Sequence, residues 1–116
     1  MIKWFEGLQH PEAYHGIKSG APYFEGWYHK VVTEPGEAFA IIPGMYRSAI
    51  ARNNFSFIMI YDGTSGDVHF QRFEITDFIA RTDRYRVSIG ENKFFKDGLK
   101  LNIDSPKLSI KGELNF

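Results

Sequence analysis

Apolar and polar positions alternate along most of the chain after Pro22, and this pattern predicts a protein built from short β-strands. Runs rich in Val, Ile, Phe and Tyr recur between turn signals such as Asp62-Gly63 and Asp97-Gly98. Such spacing is typical of an antiparallel meander that closes into a sandwich or barrel. The predicted strands cover residues 23–33, 38–42, 55–61, 68–75, 85–89, 93–95, 99–103 and 108–114.

The two halves of the chain differ in their alternation. In the last strands, apolar residues such as Leu99 and Leu101 alternate with polar residues such as Lys100 and Asn102. We therefore expect one face of these strands to be wet. Between residues 23 and 61 both faces are mainly apolar or aromatic. Strands in that half should be covered on both sides.

The rest of the chain is assigned to loops and turns. Residues 1–21 show neither helical nor strand periodicity, so they are predicted to form an ordered lead-in loop before the antiparallel strands of residues 22–116. No convincing helix is predicted, and residues 76–84 are interpreted as a connection or a single helical turn. Pro43 is predicted to end a strand, with Gly44 in the tight turn after it and no chemistry at either residue.

The carboxyl-terminal residues continue a strand pattern up to Phe116 without a closing turn or a polar tail. This suggests one β domain that is the amino-terminal fragment of a longer fold, with an open sheet edge. An unpaired edge and two-faced apolar strands both require a partner surface. We expect that surface to be a missing second half or another copy of the chain, which makes a homo-oligomer through the open edge the predicted assembly.

Composition and charge exclude several classes of function. Fourteen basic residues balance fourteen acidic ones, so no net field attracts nucleic acid. Cysteine is absent, as expected of a bacterial or cytosolic protein. No apolar run approaches the ~18 residues of a transmembrane segment, and Met1 to Gly7 lacks the pattern of a signal peptide. The sequence therefore predicts a soluble, cytoplasmic protein.

Aromatic residues make up 16% of the chain, which indicates either a dense core or a cavity with aromatic walls. The four histidines lack the short paired spacing of a zinc motif, and no calcium-binding or phosphate-binding loop is present. We therefore predict no metal and no cofactor. A cavity with aromatic walls would bind a hydrophobic small molecule.

One segment resembles a known family. Tyr23-Phe24-Glu25-Gly26-Trp27-Tyr28, followed by Ala38-Phe39-Ala40-Ile41-Ile42-Pro43-Gly44, is similar to the opening of the tocopherol cyclase family, and His10-Pro11 with Tyr14-His15-Gly16 resembles the family's lead-in. Family members are longer and carry carboxyl-terminal Gly- and Trp-containing motifs that do not occur here. The resemblance implies a lipocalin-like β-barrel, or half of one, whose relatives close the chroman ring of vitamin E from a prenylated hydroquinone.

The chemistry implied by this resemblance needs a proton donor, a way to stabilise a cation and a dry cavity. A carboxyl group buried among rings stays protonated near neutrality, which makes Glu25 the natural donor, with Tyr28 and His29 as the next candidates. Aromatic faces stabilise a cation by roughly 0.5 to 2 kcal/mol each. The predicted substrate contacts are therefore the aromatic residues Phe24, Trp27, Phe55 and Phe57.

Simpler interpretations of the same residues stay open. Glu25 could accept hydrogen bonds from Trp27 or from backbone amides at a bend made by Gly26, where a ring could cross the strand. Three functions are therefore compatible with the sequence: a cyclase that acts on a prenylated quinol, a binder of an isoprenoid or lipid without chemistry, and a structural, self-associating fragment.

Overall fold

The structure, a computed structural model, describes residues 2–4, 23–33, 36–105 and 108–115. In these ranges the chain forms β-strands and two single 3-10 turns, at Ala51–Asn53 and Ile75–Asp77. The strands are β1 (Ile2–Trp4), β2 (Tyr23–Gly26), β3 (His29–Thr33), β4 (Ala38–Arg47), β5 (Phe55–Asp62), β6 (Val68–Glu74), β7 (Phe78–Ala80), β8 (Arg86–Ile89), β9 (Asn92–Phe95), β10 (Gly98–Ser105) and β11 (Leu108–Asn115).

The strands form two antiparallel sheets. The first sheet has the order β1-β3-β4-β5-β6, and β2 pairs with β4 beyond the end of β3. The second sheet has the order β11-β10-β9-β8-β7. Within the described ranges, no strand of the first sheet pairs with a strand of the second, so the sheets do not close into a barrel. The predicted all-β antiparallel meander is confirmed, in the form of an open half-barrel.

The register of the first sheet determines which side chains face the second sheet. In β5, Ile58 and Ile60 lie in the core between the sheets, whereas Phe57 lies on the opposite face, because neighbouring strand residues point to opposite sides. We call these the core face and the outer face of the first sheet. The core contains Val31, Ile41, Ile58 and Ile60 from the first sheet, Val87, Ile89, Phe94, Leu99, Leu101 and Ile103 from the second, and Trp27 and Tyr85, which lie just outside the strands.

Burial follows the two kinds of alternation in the sequence. In the second sheet, Val87 and Leu101 are buried and Arg86 and Lys100 are exposed, which confirms the predicted wet face. In the first sheet, the expected cover on both sides is found only at the centre of β5, because Phe24 and Tyr61 on the outer face are exposed. Phe57 on the outer face and Ile58 on the core face are only 2% and 0% exposed.

Pro43 does not end a strand, contrary to the prediction: β4 continues through it to Arg47. Opposite it, the predicted single strand 23–33 is interrupted at Trp27 and Tyr28, between β2 and β3. The carbonyl oxygen of Pro43 accepts a hydrogen bond from the backbone N–H of Trp27 at 3.0 Å. The Pro43 nitrogen points to the same side of β4 as this carbonyl, away from β5. The missing N–H of Pro43 therefore lies at the interruption and removes no hydrogen bond between paired strands.

Two short strands differ from the sequence-based assignment. Ile2–Trp4 were predicted to belong to the lead-in loop, but they form β1, which pairs with the side of β3 that faces away from β4. The remainder of the predicted lead-in, with His10 and His15, lies outside the described residues. In the predicted connection 76–84, the chain makes a 3-10 turn and then β7, a three-residue strand. Strands of this length are too short for their alternation to stand out from a loop.

Candidate functional site

The predicted site residues are divided between the two faces of the first sheet. Glu25 pairs with Met45 and His29 pairs with Ile41, and both lie on the core face. Phe24, Phe55 and Phe57 lie on the outer face, and Tyr28 is 50% exposed in the interruption between β2 and β3. Because a sheet separates the two groups, the seven predicted residues do not form the wall of one cavity in this structure.

Glu25 takes part in a polar cluster at the end of the first sheet. The Tyr23 hydroxyl donates a hydrogen bond to Oε1 of Glu25 at 2.5 Å, and the Arg47 guanidinium lies 5.3 Å from the centre of the Tyr23 ring. Glu25 itself is half-buried. Among the described residues, Glu25 is thus a half-buried carboxyl group bonded to a phenol, with a guanidinium beside that phenol ring.

His29 is completely buried and connects the two sheets. Its Nε2 lies 2.6 Å from the Tyr85 hydroxyl, and its ring centre lies 5.7 Å from that of Phe94. Burial lowers the pKa of His29 to about 4 and raises the pKa of Tyr85 above its ordinary value, so both groups are neutral at pH 7. With 0% and 5% exposure, the pair has no open side for a substrate.

Trp27 is a second connection between the sheets. Its indole is only 4% exposed and lies across the core from the second sheet, with ring centres 6.2 Å from Phe78 and 5.7 Å from Tyr85. These are ordinary separations for packed aromatic rings. Trp27 therefore fills the core in this structure.

The described residues on the outer face of the first sheet include five packed aromatic rings, and we call the four phenylalanines among them the aromatic face: Phe24, Phe55, Phe57 and Phe70, with Tyr46 packed against Phe55. Phe57 stacks between Phe24 and Phe70, at 5.6 Å and 5.4 Å between ring centres. Its ring lies over Gly44, where an added Cβ would overlap the Phe57 ring and lie 2.7 Å from the carbonyl oxygen of Glu25. The sequence suggested that an aromatic ring could cross the strand at Gly26. In the structure the Phe57 ring crosses β4 at Gly44, which pairs with Gly26.

An apolar cleft of about 280 Å³ opens between the two sheets. We refer to it as the cleft. Its walls come from β3, β4 and β5 on one side and from β10 and β11 on the other. The lining residues are Val31, Phe39, Ile41, Ile60, Leu99, Leu101, Ile110, Gly112 and Leu114. The exposed Lys111 and Glu113 of β11 also border the cleft. None of the seven predicted site residues is among the described residues that line the cleft.

Gly112 keeps part of the cleft open. It pairs with the buried Leu101, so its side-chain position faces the core, yet a Cβ added there would meet no atom within 4 Å. A larger side chain at this position would fill the cleft. The sequence contains a signal for this feature, since the inward row of β11 has a glycine between Ile110 and Leu114.

The described part of the chain shows neither a cluster of metal ligands nor a helix that could cross a membrane. Across residues 2–4, 23–33, 36–105 and 108–115, no three His, Asp or Glu side chains cluster as metal ligands would. In the same ranges no helix has the length and apolar character needed to cross a membrane.

These observations define an all-β, antiparallel half-barrel with an apolar cleft between its two sheets. No protein-family model, curated protein or solved structure matches the chain. The similarity of residues 23–28 and 38–44 to the tocopherol cyclase family therefore stays a prediction that those residues alone support.

Proposed function

We propose that this chain binds a hydrophobic small molecule in the cleft between its sheets. The observation that carries the proposal is the combination of an apolar lining with open space. The cleft volume of about 280 Å³ lies near the lower end of ligand sites, which measure about 300 to 1,000 Å³. This volume suits one segment of an isoprenoid or acyl chain.

The lining also indicates how such a ligand would be held. Its core-facing side chains are aliphatic or aromatic, so the binding free energy would come from burial of apolar surface, at about 0.8 kcal/mol for each methylene group. Lys111 and Glu113 alternate with the inward residues of β11 and are exposed. A polar end group of the ligand would stay near them, in contact with water.

Binding without chemistry is better supported than cyclisation of a prenylated hydroquinone. Protonation of an alkene requires an acid within hydrogen-bond reach of the substrate. Glu25 belongs to the Tyr23 cluster, His29 is enclosed with Tyr85, and Tyr28 is exposed and does not line the cleft. A cyclase would need its proton donor in the cleft, and these three residues do not supply it.

The proposal is tested by filling the cleft at Gly112. We expect farnesol or palmitic acid to bind the wild-type chain, as measured by native mass spectrometry and calorimetric titration. Gly112→Leu should weaken binding at least tenfold without loss of stability, because the new side chain enters open space. The matched control is Ser109→Leu, which adds the same side chain to the exposed face of the same strand.

Two results would contradict the proposal. One is a wild-type chain that binds neither farnesol nor palmitic acid at millimolar concentration. The other is a Gly112→Leu chain that binds as tightly as the Ser109→Leu control.

A further inference from the structure

We propose that the aromatic face of the first sheet is the docking surface for a second copy of this chain. The proposal concerns the face opposite to the core and does not depend on ligand binding in the cleft. It changes the predicted assembly from contact through a sheet edge to contact through a sheet face.

The outer face of the first sheet exposes a contiguous group of apolar side chains, and patches of this kind often mark interaction sites. Phe24 is 62% exposed and Phe70 is 52% exposed, and Tyr61 and Val68 on the same face are 43% and 55% exposed. Since an aromatic side chain carries about 150 to 250 Å² of surface, these residues expose roughly 400 to 500 Å². One side of a stable interface buries about 800 Å², of which this patch would form the apolar centre.

The rings of the aromatic face are already ordered. Phe57 stacks nearly parallel to Phe24 and Phe70, with angles of 15° and 19° between the ring planes, and it is only 2% exposed. Phe55 packs against both Phe57 and Phe70. Little side-chain entropy would be lost on association, because the rings hold one another in place before a partner arrives.

The charges beside the rings favour a second copy over other occupants. Arg72 and Glu74 lie two residues apart on β6, exposed on the outer face. The Arg72 guanidinium lies 4.3 Å from the centre of the Phe55 ring. In a two-fold contact whose axis passes near Phe73, Arg72 of one copy would meet Glu74 of the other, and the pair would form twice. The chain has a formal net charge of zero, so two copies do not repel each other at long range. An anionic surface would gain little from a patch with both signs.

Pairing through the β6 edge of the first sheet is less favourable than contact through the face. β6 is an end strand of this sheet, and four of its seven residues are polar or charged: His69, Gln71, Arg72 and Glu74. Charged side chains on an edge strand oppose pairing with another edge. The stacked rings of the aromatic face carry no charge that would oppose contact with a second copy.

Sedimentation equilibrium of the intact chain between 1 and 200 µM tests the interface. We expect a dimer that dissociates in the micromolar range. Phe24→Glu should weaken association at least tenfold, because it places a charge within the ring stack. The control is Ile79→Glu: Ile79 is 68% exposed on the outer face of the second sheet, and its substitution should leave the dissociation constant unchanged.

Charge reversal identifies the occupant as a second copy. Arg72→Glu and Glu74→Arg should each weaken the dimer, because each brings like charges together. The double variant should restore most of the affinity, since the pair is re-formed with its signs exchanged. Circular dichroism confirms that each variant is folded.

The proposal is overturned if the wild-type chain is monomeric at 200 µM, if Phe24→Glu dimerises like the wild type, or if the double variant is as weak as the single variants. It is also overturned if the wild-type chain sediments with phosphatidylcholine vesicles and Phe24→Glu does not. That result would show that the aromatic face docks on a lipid surface.

Discussion

The outer faces of the two sheets differ in character although both sheets share one core. On the second sheet, Arg86, Lys93 and Lys100 project into water opposite the buried residues. On the first sheet, the outer face carries the stacked rings of Phe24, Phe57 and Phe70. The second sheet needs only the core to be stable, whereas the first sheet has a second apolar surface that the described chain does not cover.

This difference separates residues that stabilise the half-barrel from residues that are available for contacts. A core residue contributes to both sheets, so its loss affects the whole domain. A residue of the outer face contributes to one sheet and to whatever docks on it. The three predictions that follow compare these contributions, beginning with the residue that connects the sheets most directly.

Trp27→Ala should cause the largest loss of stability. The substitution removes the indole that packs on Phe78 and Tyr85 and leaves a cavity between the sheets, at a cost of about 3 to 5 kcal/mol in the free energy of unfolding. Phe24→Ala, on the outer face of β2, should cost less than about 1 kcal/mol in dilute protein. Urea unfolding monitored by circular dichroism measures both. Equal losses would mean that the core does not dominate the stability of the first sheet.

The His29 contact between the sheets should make stability depend on pH. The pKa of His29 is about 4 in the folded protein, against 6.5 for an ordinary histidine, so the unfolded chain binds more protons between these values. The contribution of the neutral His29 to the free energy of unfolding is therefore complete above pH 6.5. This contribution, about 3 kcal/mol, is lost as the pH falls towards 4.

Urea unfolding at several pH values measures this loss. In His29→Gln, the free energy of unfolding should fall about 3 kcal/mol less than in the wild type between pH 6.5 and 4. Parallel profiles for the two proteins would rule out His29 as the source of the acid sensitivity.

Two glycines should respond in opposite ways to the same substitution. Gly44→Ala should cost about 1 to 3 kcal/mol, because the new methyl group would overlap the Phe57 ring and the Glu25 carbonyl oxygen. Gly112→Ala should be neutral or should stabilise the protein by up to about 1 kcal/mol, because its Cβ enters the cleft and the substitution reduces the freedom of the unfolded chain. Thermal unfolding of the two variants decides whether the outer face of the first sheet is as tightly packed as the structure indicates.

Alternation along the chain was sufficient to predict most of the strands and the wet face of the second sheet. Alternation failed where a strand was only three residues long, as in β1 and β7. The rule that proline ends a strand failed at Pro43, because its effect depends on which residue of the neighbouring strand lies opposite. Only the pairing of strands shows that the predicted strand 23–33 is interrupted, between β2 and β3, opposite Pro43. This information is not local in the sequence.

The candidate site was less predictable than the fold. Period-two alternation alone places Phe24 and Tyr28 on one face and Glu25, Trp27 and His29 on the other, so a single aromatic wall from this segment was excluded in principle. The partners of these residues could not be predicted. Tyr85 is 56 positions away from His29 in sequence, and the cleft depends on five strands that meet only in the folded chain.

The order of the strands along the chain also affects how the protein emerges during synthesis. Every strand of the first sheet is made before Ile75, and the core residues of the second sheet lie between Tyr85 and Ile103. Since chains fold from the amino terminus as they are made, the first sheet can form with its apolar core face still uncovered. Both of its faces then expose apolar side chains to the crowded cell, and we expect this interval to be the stage at which a chaperone is most needed.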